Sequence, residues 1–597
     1  MFNFLPLIID KLVKIFFSVA SKIYEVFKLI GFELILFFAF FIVLNNYIGR
    51  VEQTIKADGE GYYDYLPAYF IHNDLERLNW EVKPDSVQFR RVNSKGCYIK
   101  YGETKVNKYT VGTAFLQSPF FMINLWMEGV HNVPEDGYQE SYHLSVFAAS
   151  IFYLFCTVFL LRLILISYGI EKWIIKFLQL LLLFSTGVLH YSNFDASYSH
   201  IYSLFVISLF IWTSRLFFTK QKMRYFVIAF GLIGLVFILR QVNILIIFFL
   251  PFLAGTWKVF IQGVLLVVME YKKLILGFLV MSFFLFIQLY TWYIQTGDWV
   301  VYSYQGEGFN WSNPEVLNVL FSFQKGLFIY TPILFVSLLG LIRLLCQKRF
   351  YLAVSWFLFF ALLTYVLSSW WCWFYGASFG MRPFIDFYMV FFILFAMLLS
   401  KSKWYFQVPI VVIGLLTIPV NIIQTYQYKQ YILHWGHMDE LKYWRVFLKT
   451  DKRFEGLNWK KEYNFDWCFE EEKISFGDLS LEGNKEVKLI EINASEVNNF
   501  NKVFLIKVQF TSDFSEEIDA NVIFGINDTV QQNVEYWHSI SFISFTEGYL
   551  NEMQRGEFNY EFDPIKMSEG LVISLEASTK TNAILMENIT FTFYSKL

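Results

Sequence analysis

The stretch Leu274 to Tyr293, LILGFLVMSFFLFIQLYTWY, decides the fold, because it holds twenty residues without one charged side chain. A membrane-spanning helix needs about 20 predominantly apolar residues to cross the hydrocarbon of a bilayer. Only Arg240-Gln241-Val242 separates two shorter apolar runs, which could also form one kinked segment. The sequence therefore predicts a polytopic α-helical membrane protein with about 11 transmembrane helices. The eleven runs are 29–47, 143–166, 173–190, 201–218, 225–239, 243–257, 274–293, 327–345, 351–369, 386–400 and 405–424.

The composition excludes an ordinary soluble protein. Apolar residues make up 56% of the 597 residues and charged residues 17%, whereas an average soluble domain carries about 25% charged residues. A net charge of −2 gives no basic surface for nucleic acid, so no nucleic-acid partner is expected. The five cysteines are scattered, without the spacing of a metal site or a disulfide framework. The remaining partners are membrane lipids and whatever the outer loops bind.

Lysine and arginine set the expected orientation. With the N-terminus in the cytoplasm, every inside loop is basic, as the positive-inside rule requires. Residues 1–28 place Lys at helical intervals among apolar residues, which predicts an interfacial amphipathic helix. The large pieces then lie outside, namely the loop 48–142, the loop 294–326 and the tail. Abundant Phe, Lys, Ile and Asn hint at a bacterial inner membrane, with the outer loops and the tail in the periplasm.

The tail changes character near residue 470. After a linker at 425–470, runs such as 503–510 and 539–545 alternate apolar and polar residues and are rich in β-branched and aromatic side chains. Alternation with period two is typical of half-buried strands. Six or more such runs predict an antiparallel β-sandwich over 471–597. The role of this domain has two equal alternatives. It either packs on the rest of the protein and stabilises it, or it binds a glycan or a partner.

The strongest chemical signal follows the first run, in DGEGYYDYLP at 58–67. Glycines beside Asp58 and Glu60 allow a tight turn in which both carboxylates converge. The two acids could hold a divalent metal ion, or one could act as a general base; the alternative is a solvated turn. Tyr62 and Tyr63 follow at once, which indicates an ordered turn, and both are candidate substrate-pocket residues. Further along the same loop, residues 109–121 predict a helix at the membrane edge.

Cations occur at the predicted outer ends of the apolar runs. Arg240, Arg382 and Lys325 are candidates for binding a phosphate. A guanidinium donates two parallel hydrogen bonds to a phosphate, and Lys325 is a further outer cation. The alternative for Arg240 is a snorkelling side chain in an ordinary helix turn. Trp370 and Trp371 lie in the outer segment SSWWCWFYGASFGMRP at 368–383, where Trp either anchors the membrane interface or stacks on a sugar ring.

A short outer loop, YSNFDASYSH at 191–200, adds Asp195 and His200. They are candidate substrate-pocket residues, although a lone histidine is more often structural. P-loop, Gly-x-Ser-x-Gly and His-Glu-x-x-His motifs are absent from the sequence.

Together these segments resemble the GT-C superfamily of integral-membrane glycosyltransferases, specifically the bacterial protein-mannosyltransferase and aminoarabinose-transferase type. The resemblance covers roughly 29–430. It implies transfer of a sugar from a polyprenyl-phosphate donor to a protein, lipid or glycan acceptor. Asp58 would be the base or, with Glu60, a metal ligand, and Arg240 and Arg382 would contact the donor phosphate. Asp58-Gly59-Glu60 stands where other members have Asp-Glu or Asp-x-Asp, which leaves metal dependence open.

Two other functions compete with the glycosyltransferase. A flippase for lipid-linked glycans would need polar residues lining a route across the bilayer, and the apolar runs contain few of them. A non-catalytic scaffold would use the tail to bind a surface partner.

Overall fold

The chain divides into two compact units, Met1–Thr425 and Tyr426–Leu597. The predicted amphipathic helix at 1–28 lies outside the residues that the structure describes. The computed structural model describes residues 30–48, 53–78, 89–91, 96–131, 136–436, 438–454, 468–481, 485–514, 520–530, 533–541, 552–561, 570–579 and 584–596.

The first unit is built almost entirely of helices, and α19 continues from it into the second. A 3-10 segment, Gln241–Phe249, precedes α10, and another, Arg382–Phe387, precedes α18. The helices are α1 Ile30–Asn46, α2 Asp58–Tyr63, α3 Tyr65–Phe70, α4 Gly112–His131, α5 Glu140–Ser167, α6 Lys172–Phe184, α7 Val188–Tyr191, α8 His200–Lys220, α9 Met223–Leu239, α10 Leu250–Ala254, α11 Trp257–Met269, α12 Tyr271–Thr296, α13 Val316–Phe321, α14 Leu327–Tyr330, α15 Pro332–Ser337, α16 Leu339–Cys346, α17 Phe350–Ser368, α18 Tyr388–Leu399, α19 Trp404–Lys429 and α20 Glu440–Val446.

Six helical segments in the described ranges are long and apolar enough to cross a membrane: α5, α8, α12, α17, Arg382–Leu399 and α19. A seventh span forms if Gln241–Ala254 and Trp257–Met269, which are bent by 120°, count as one broken span. Every predicted apolar run contains helix, so the multi-pass membrane class is confirmed. The count of about 11 stays a prediction, because several runs are short or interrupted helices. The 120° bend lies between α10 and α11, and the chain also leaves the regular helix at Arg240, which follows the end of α9.

A buried acid, Glu33, lies among the apolar helices. Glu33 of α1 pairs with Arg162 of α5 at 3.1 Å and accepts a hydrogen bond from Gln179 of α6 at 2.8 Å. Because hydrocarbon cannot solvate a charge, pairing of this kind is what allows charged side chains inside a membrane helix bundle. The contact also ties three helices together.

The described part of the loop at 48–142 is folded. It carries α2, α3, the hairpin β1 Tyr98–Tyr101 and β2 Thr104–Asn107, and α4. The predicted membrane-edge helix at 109–121 corresponds to α4, which begins at Gly112 and continues to His131. The sequence remains apolar beyond residue 121, which explains the extra length. Whether α4 lies at the membrane edge stays a prediction.

The second unit contains two antiparallel sheets among its described residues. One has the strand order β5-β10-β7-β8, and the other β3-β11-β6-β9 with β4 paired to β11. Both sheets contribute to one buried cluster, in which Phe524 stacks on Tyr560 with 3.9 Å between ring centroids. The strands are β3 Cys468–Ser475, β4 Leu479–Leu481, β5 Lys485–Asn493, β6 Val503–Phe514, β7 Ala520–Asp528, β8 Asn533–Ser541, β9 Glu552–Glu561, β10 Leu571–Thr579 and β11 Ile584–Lys596.

The prediction of antiparallel C-terminal sheets is confirmed, whereas their arrangement as a β-sandwich stays a prediction. The first strand begins at Cys468, three residues before the predicted boundary at 471. The predicted linker 425–470 contains the end of α19 and the helix α20, while residues 455–467 lie outside the described part of the chain.

Candidate active site

The glycine-rich acidic motif forms the short helix α2 and not the predicted turn. Its glycines are needed for close packing. A Cβ on Gly59 would lie 1.8 Å from the Ser197 hydroxyl oxygen, and a Cβ on Gly61 would lie 2.4 Å from the Tyr109 ring. Successive residues of a helix are about 100° apart, so Asp58 and Glu60 point to nearly opposite sides of α2. The expected convergence of the two carboxylates is therefore wrong.

Asp58 contacts Arg382, which begins the 3-10 segment before α18. The Asp58 Oδ2 atom lies 2.7 Å from the Arg382 Nη1 atom. Burial alone raises the pKa of Asp58, but the Arg382 charge and hydrogen bonds from Tyr109 and Arg382 outweigh it and hold the pKa below its usual value. Asp58 is consequently an ionised carboxylate with a guanidinium beside it.

Glu60 faces a different environment. Its side chain is fully buried, and its Oε1 atom lies 3.8 Å from the Nε atom of Arg91, which also pairs with Asp64 at 2.8 Å. Nor do the described residues contain any group of three or more His, Cys, Asp or Glu side chains placed to hold a metal ion. Asp58 and Glu60 as placed do not fit a shared metal site, and metal dependence stays an untested prediction.

Arg240 meets an acid that sequence reasoning missed. Its Nη1 atom donates to Asp386 Oδ2 at 3.0 Å, and the same carboxylate contacts His200 Nδ1 at 2.8 Å. Asp386 also accepts from Asn243 at 2.8 Å and is completely buried. The available signal was that Asp386 is the one carboxylate in the apolar run 386–400.

Seven of the site residues predicted from the sequence line one cavity, which has a volume of about 570 Å³. Its lining includes Asp58, Tyr62, His200, Arg240, Trp370, Trp371 and Arg382.

Part of the cavity wall is aromatic. Trp370 forms a β-bridge with Phe309, and their rings meet edge to face with 4.9 Å between the ring centroids.

The cavity is also lined by an ion pair, Lys108 and Glu307, that the sequence did not indicate. They come from loops far apart in the chain, so no local motif could have joined them.

The other predicted site residues do not line this cavity. Tyr63 is buried and donates to the Gly137 carbonyl oxygen at 2.6 Å. Asp195 pairs with His190 at 2.8 Å. Burial raises the pKa of Asp195, but the His190 contact outweighs burial and lowers the pKa.

Lys325 is another predicted residue outside the cavity lining. Its side-chain nitrogen donates to the Gly376 carbonyl oxygen and, at 2.6 Å, to the Ser378 hydroxyl, so it holds a loop in place. Burial lowers the pKa of Lys325 well below its usual value, and the nearby Arg382 charge adds to this.

The cavity lies where helices begin and end. His200 begins α8, Leu239 ends α9, and Trp292 lies in the last turns of α12. Trp370 follows the end of α17, and Arg382 precedes α18. Because residues at all these helix ends line the same cavity, the helix ends lie close together. An ionised carboxylate, two guanidinium groups and an aromatic wall therefore surround one space there.

Comparison with protein families, curated proteins and solved structures finds matches only among the solved structures. No family model matches the chain, and no curated protein does either. The structure is similar to the apo oligosaccharyltransferase of Archaeoglobus fulgidus, with 12% identity over 70% of this chain and 57% of that chain, at a TM-score of 0.39. It is also similar to the AglB oligosaccharyltransferase of the same organism, in complex with an inhibitory peptide and a dolichol-phosphate, with 12% identity over 68% of this chain and 56% of that one, at a TM-score of 0.38.

A third similar structure is the arabinosyltransferase EmbB of Mycobacterium smegmatis, with 9% identity over 80% of this chain and 59% of that one, at a TM-score of 0.31. The chain thus covers a little over half the length of each of the three. All three are sugar transferases by name.

Proposed function

We propose that the chain is a membrane glycosyltransferase that moves a sugar from a polyprenyl-phosphate donor to a protein, lipid or glycan acceptor. The supporting observation is that Asp58, Arg240 and Arg382, which are distant in sequence, line one cavity at the ends of the helices. The reaction takes place at the outer face of a bacterial inner membrane, with the N-terminus in the cytoplasm and the C-terminal unit in the periplasm.

The chemistry requires groups of both signs. Negative charge builds on the phosphate oxygens as the glycosidic bond breaks, and fixed cations in a water-poor site stabilise it strongly. Arg240 and Arg382 supply those cations. The attacking acceptor hydroxyl must lose a proton, which Asp58 accepts as general base. Asp58 and Arg382 are in contact, so the base and a donor-binding cation face the same space. The acceptor oxygen attacks the anomeric carbon from the face opposite the phosphate, so the sugar lies between the phosphate and the hydroxyl that Asp58 deprotonates. Direct displacement inverts the anomeric centre.

An Asp58→Asn substitution tests this proposal, because it keeps the size of the side chain and removes the base. We expect sugar transfer from lipid-linked donor in membranes to fall by about 10²- to 10⁴-fold, the usual contribution of a general base. The amount of protein in the membrane should stay unchanged. Glu33→Gln is the matched control, because Glu33 pairs with Arg162 in the bundle and does not line the cavity. Undiminished transfer by the Asp58 variant would exclude Asp58 from the reaction.

A further inference from the structure

Asp386 occupies an unusual position beside the cavity. Its carboxylate is completely buried and does not line the cavity, whereas its partners Arg240 and His200 both do. One oxygen accepts from Arg240 at 3.0 Å and from Asn243 at 2.8 Å, and the other contacts His200 Nδ1 at 2.8 Å. A single acid thus joins the start of α8, the end of α9 and the 3-10 segment that follows α9.

A buried carboxylate is costly to desolvate, and an ion pair made from it contributes little net stability. This arrangement instead fixes the direction of two side chains. An ionised carboxylate only accepts hydrogen bonds, so the His200 Nδ1 atom carries a proton towards Asp386 and the ring orientation is set. Arg240 has five N–H donors, and the contact through Nη1 leaves others for a ligand in the cavity.

The backbone leaves the regular helix at Arg240. Helix α9 ends at Leu239, and Arg240 is extended, with φ −158° and ψ 121°. Arg240 thus lies at the junction of two helical segments, where its backbone amide donates to the Val236 carbonyl oxygen at 3.1 Å. A long arginine side chain loses about 2 kcal/mol of rotamer entropy when it is held in one geometry. If Asp386 holds it beforehand, ligand binding does not have to meet that cost.

We propose that Asp386 is a positioning residue that holds the Arg240 guanidinium, together with the His200 ring, ready for the phosphate of an isoprenoid-linked ligand. The ligand class rests on the proposed function, but the anchoring of Arg240 does not. Asp386 itself touches no substrate.

The test compares Asp386→Asn, Asp386→Glu and Glu33→Gln in the full chain purified in nanodiscs. Glu33 is a close match, because it too is a buried acid paired with one arginine and one side-chain amide. The first measurement is the rate at which phenylglyoxal modifies Arg240, mapped by mass spectrometry. The second is the binding of farnesyl phosphate and of farnesol, followed by the fluorescence of the cavity residues Trp292, Trp370 and Trp371.

We expect Asp386→Asn to speed the modification of Arg240 several-fold and to weaken farnesyl phosphate binding about tenfold. Farnesol, which has no phosphate, should bind as it does to the wild type. Asp386→Glu should recover part of the phosphate affinity, and Glu33→Gln should match the wild type in both measurements. A merely structural role would weaken farnesol and farnesyl phosphate alike.

An unchanged modification rate at Arg240 in Asp386→Asn would overturn the proposal, as would equal weakening of both ligands. A wild type that does not bind farnesyl phosphate, combined with faster modification of Arg240 in Asp386→Asn, would contradict the proposed function and still support the anchoring of Arg240 by Asp386.

Discussion

At the scale of single residues, cations and carboxylates around the cavity come in pairs. Among the described residues, Arg382 pairs with Asp58, Arg240 with Asp386, and Lys108 with Glu307. Pairing offsets the free-energy cost of burying these charges, since an isolated buried charge costs several kcal/mol. A phosphate that enters the cavity therefore meets cations that are already held in place, and it shares them with their carboxylates.

The Asp58–Arg382 pair predicts the pH dependence of transfer. The Arg382 charge holds the pKa of Asp58 below its usual value despite burial, so Asp58 should remain an active base down to its ordinary pKa of about 3.9 or lower. In Arg382→Gln the lowering influence is lost and burial remains, so the acid limb of kcat/KM should move to higher pH. Transfer rates measured from pH 3 to pH 8 should show the acid limb of Arg382→Gln at a higher pH than that of the wild type, with Glu33→Gln as control. An acid limb at the same pH in Arg382→Gln and the wild type would exclude this coupling.

The sequence predicted some residues of the cavity and its surroundings and not others. Asp58, Arg240 and Arg382 stand out because charged residues are rare beside apolar runs, and the cavity contains all three. Asp386 was missed because it lies at the start of an apolar run, where it was counted as part of a span. Lys325 looked like a free outer cation, but a turn places it against the loop at Gly376. Such contacts between distant segments have no local signature.

At the scale of elements, α2 decides where Asp58 points. The sequence favoured a tight glycine turn, but the glycines serve a different purpose, since helix α2 packs directly on Ser197 and Tyr109. The neighbouring Ala57 has a positive φ of 46°, which turns the chain into the helix. Local glycine content alone cannot distinguish a turn from a closely packed helix, because both need the missing side chain.

A Gly59→Ala substitution tests the close packing of α2. The added methyl group would overlap the Ser197 side chain, so we expect the free energy of unfolding to fall by about 1–3 kcal/mol, the usual cost of overpacking. Thermal unfolding in detergent measures it. Adding Ser197→Gly should recover part of the loss.

Gly31→Ala is the control, because a Cβ at that position meets nothing within 4 Å, and alanine favours a helix over glycine by up to about 1 kcal/mol. If Gly59→Ala and Gly31→Ala change stability equally, α2 does not pack as closely as the structure has it.

At the scale of the whole molecule, the apolar runs predicted helices correctly, since helix occupies every one of them. The number of crossings was harder to predict. Composition marks which residues tolerate hydrocarbon, but breaks such as the 120° bend between α10 and α11 depend on packing. The alternating runs of the tail predicted its strands for a similar reason, because period two follows from strand geometry. The order of strands within each sheet depends on distant pairings and was not predicted.

The proposed orientation can be tested with reporter fusions. If the inside loops are the basic ones, a reporter that is active only outside the cytoplasm should work when fused after residue 597, and should be inactive when fused within the basic loop at 219–224. A reporter that is active only in the cytoplasm should give the reverse. Activity of the external reporter at both sites, or at neither, would contradict the eleven-span orientation.

The most direct measurement is a structure of the protein with a polyprenyl phosphate bound in a lipid environment. We predict density for the phosphate inside the cavity, within hydrogen-bond distance of Arg240 and Arg382 and beside Asp58. A phosphate bound elsewhere on the chain, with this cavity empty, would contradict the proposal that these three residues form the active site of a glycosyltransferase.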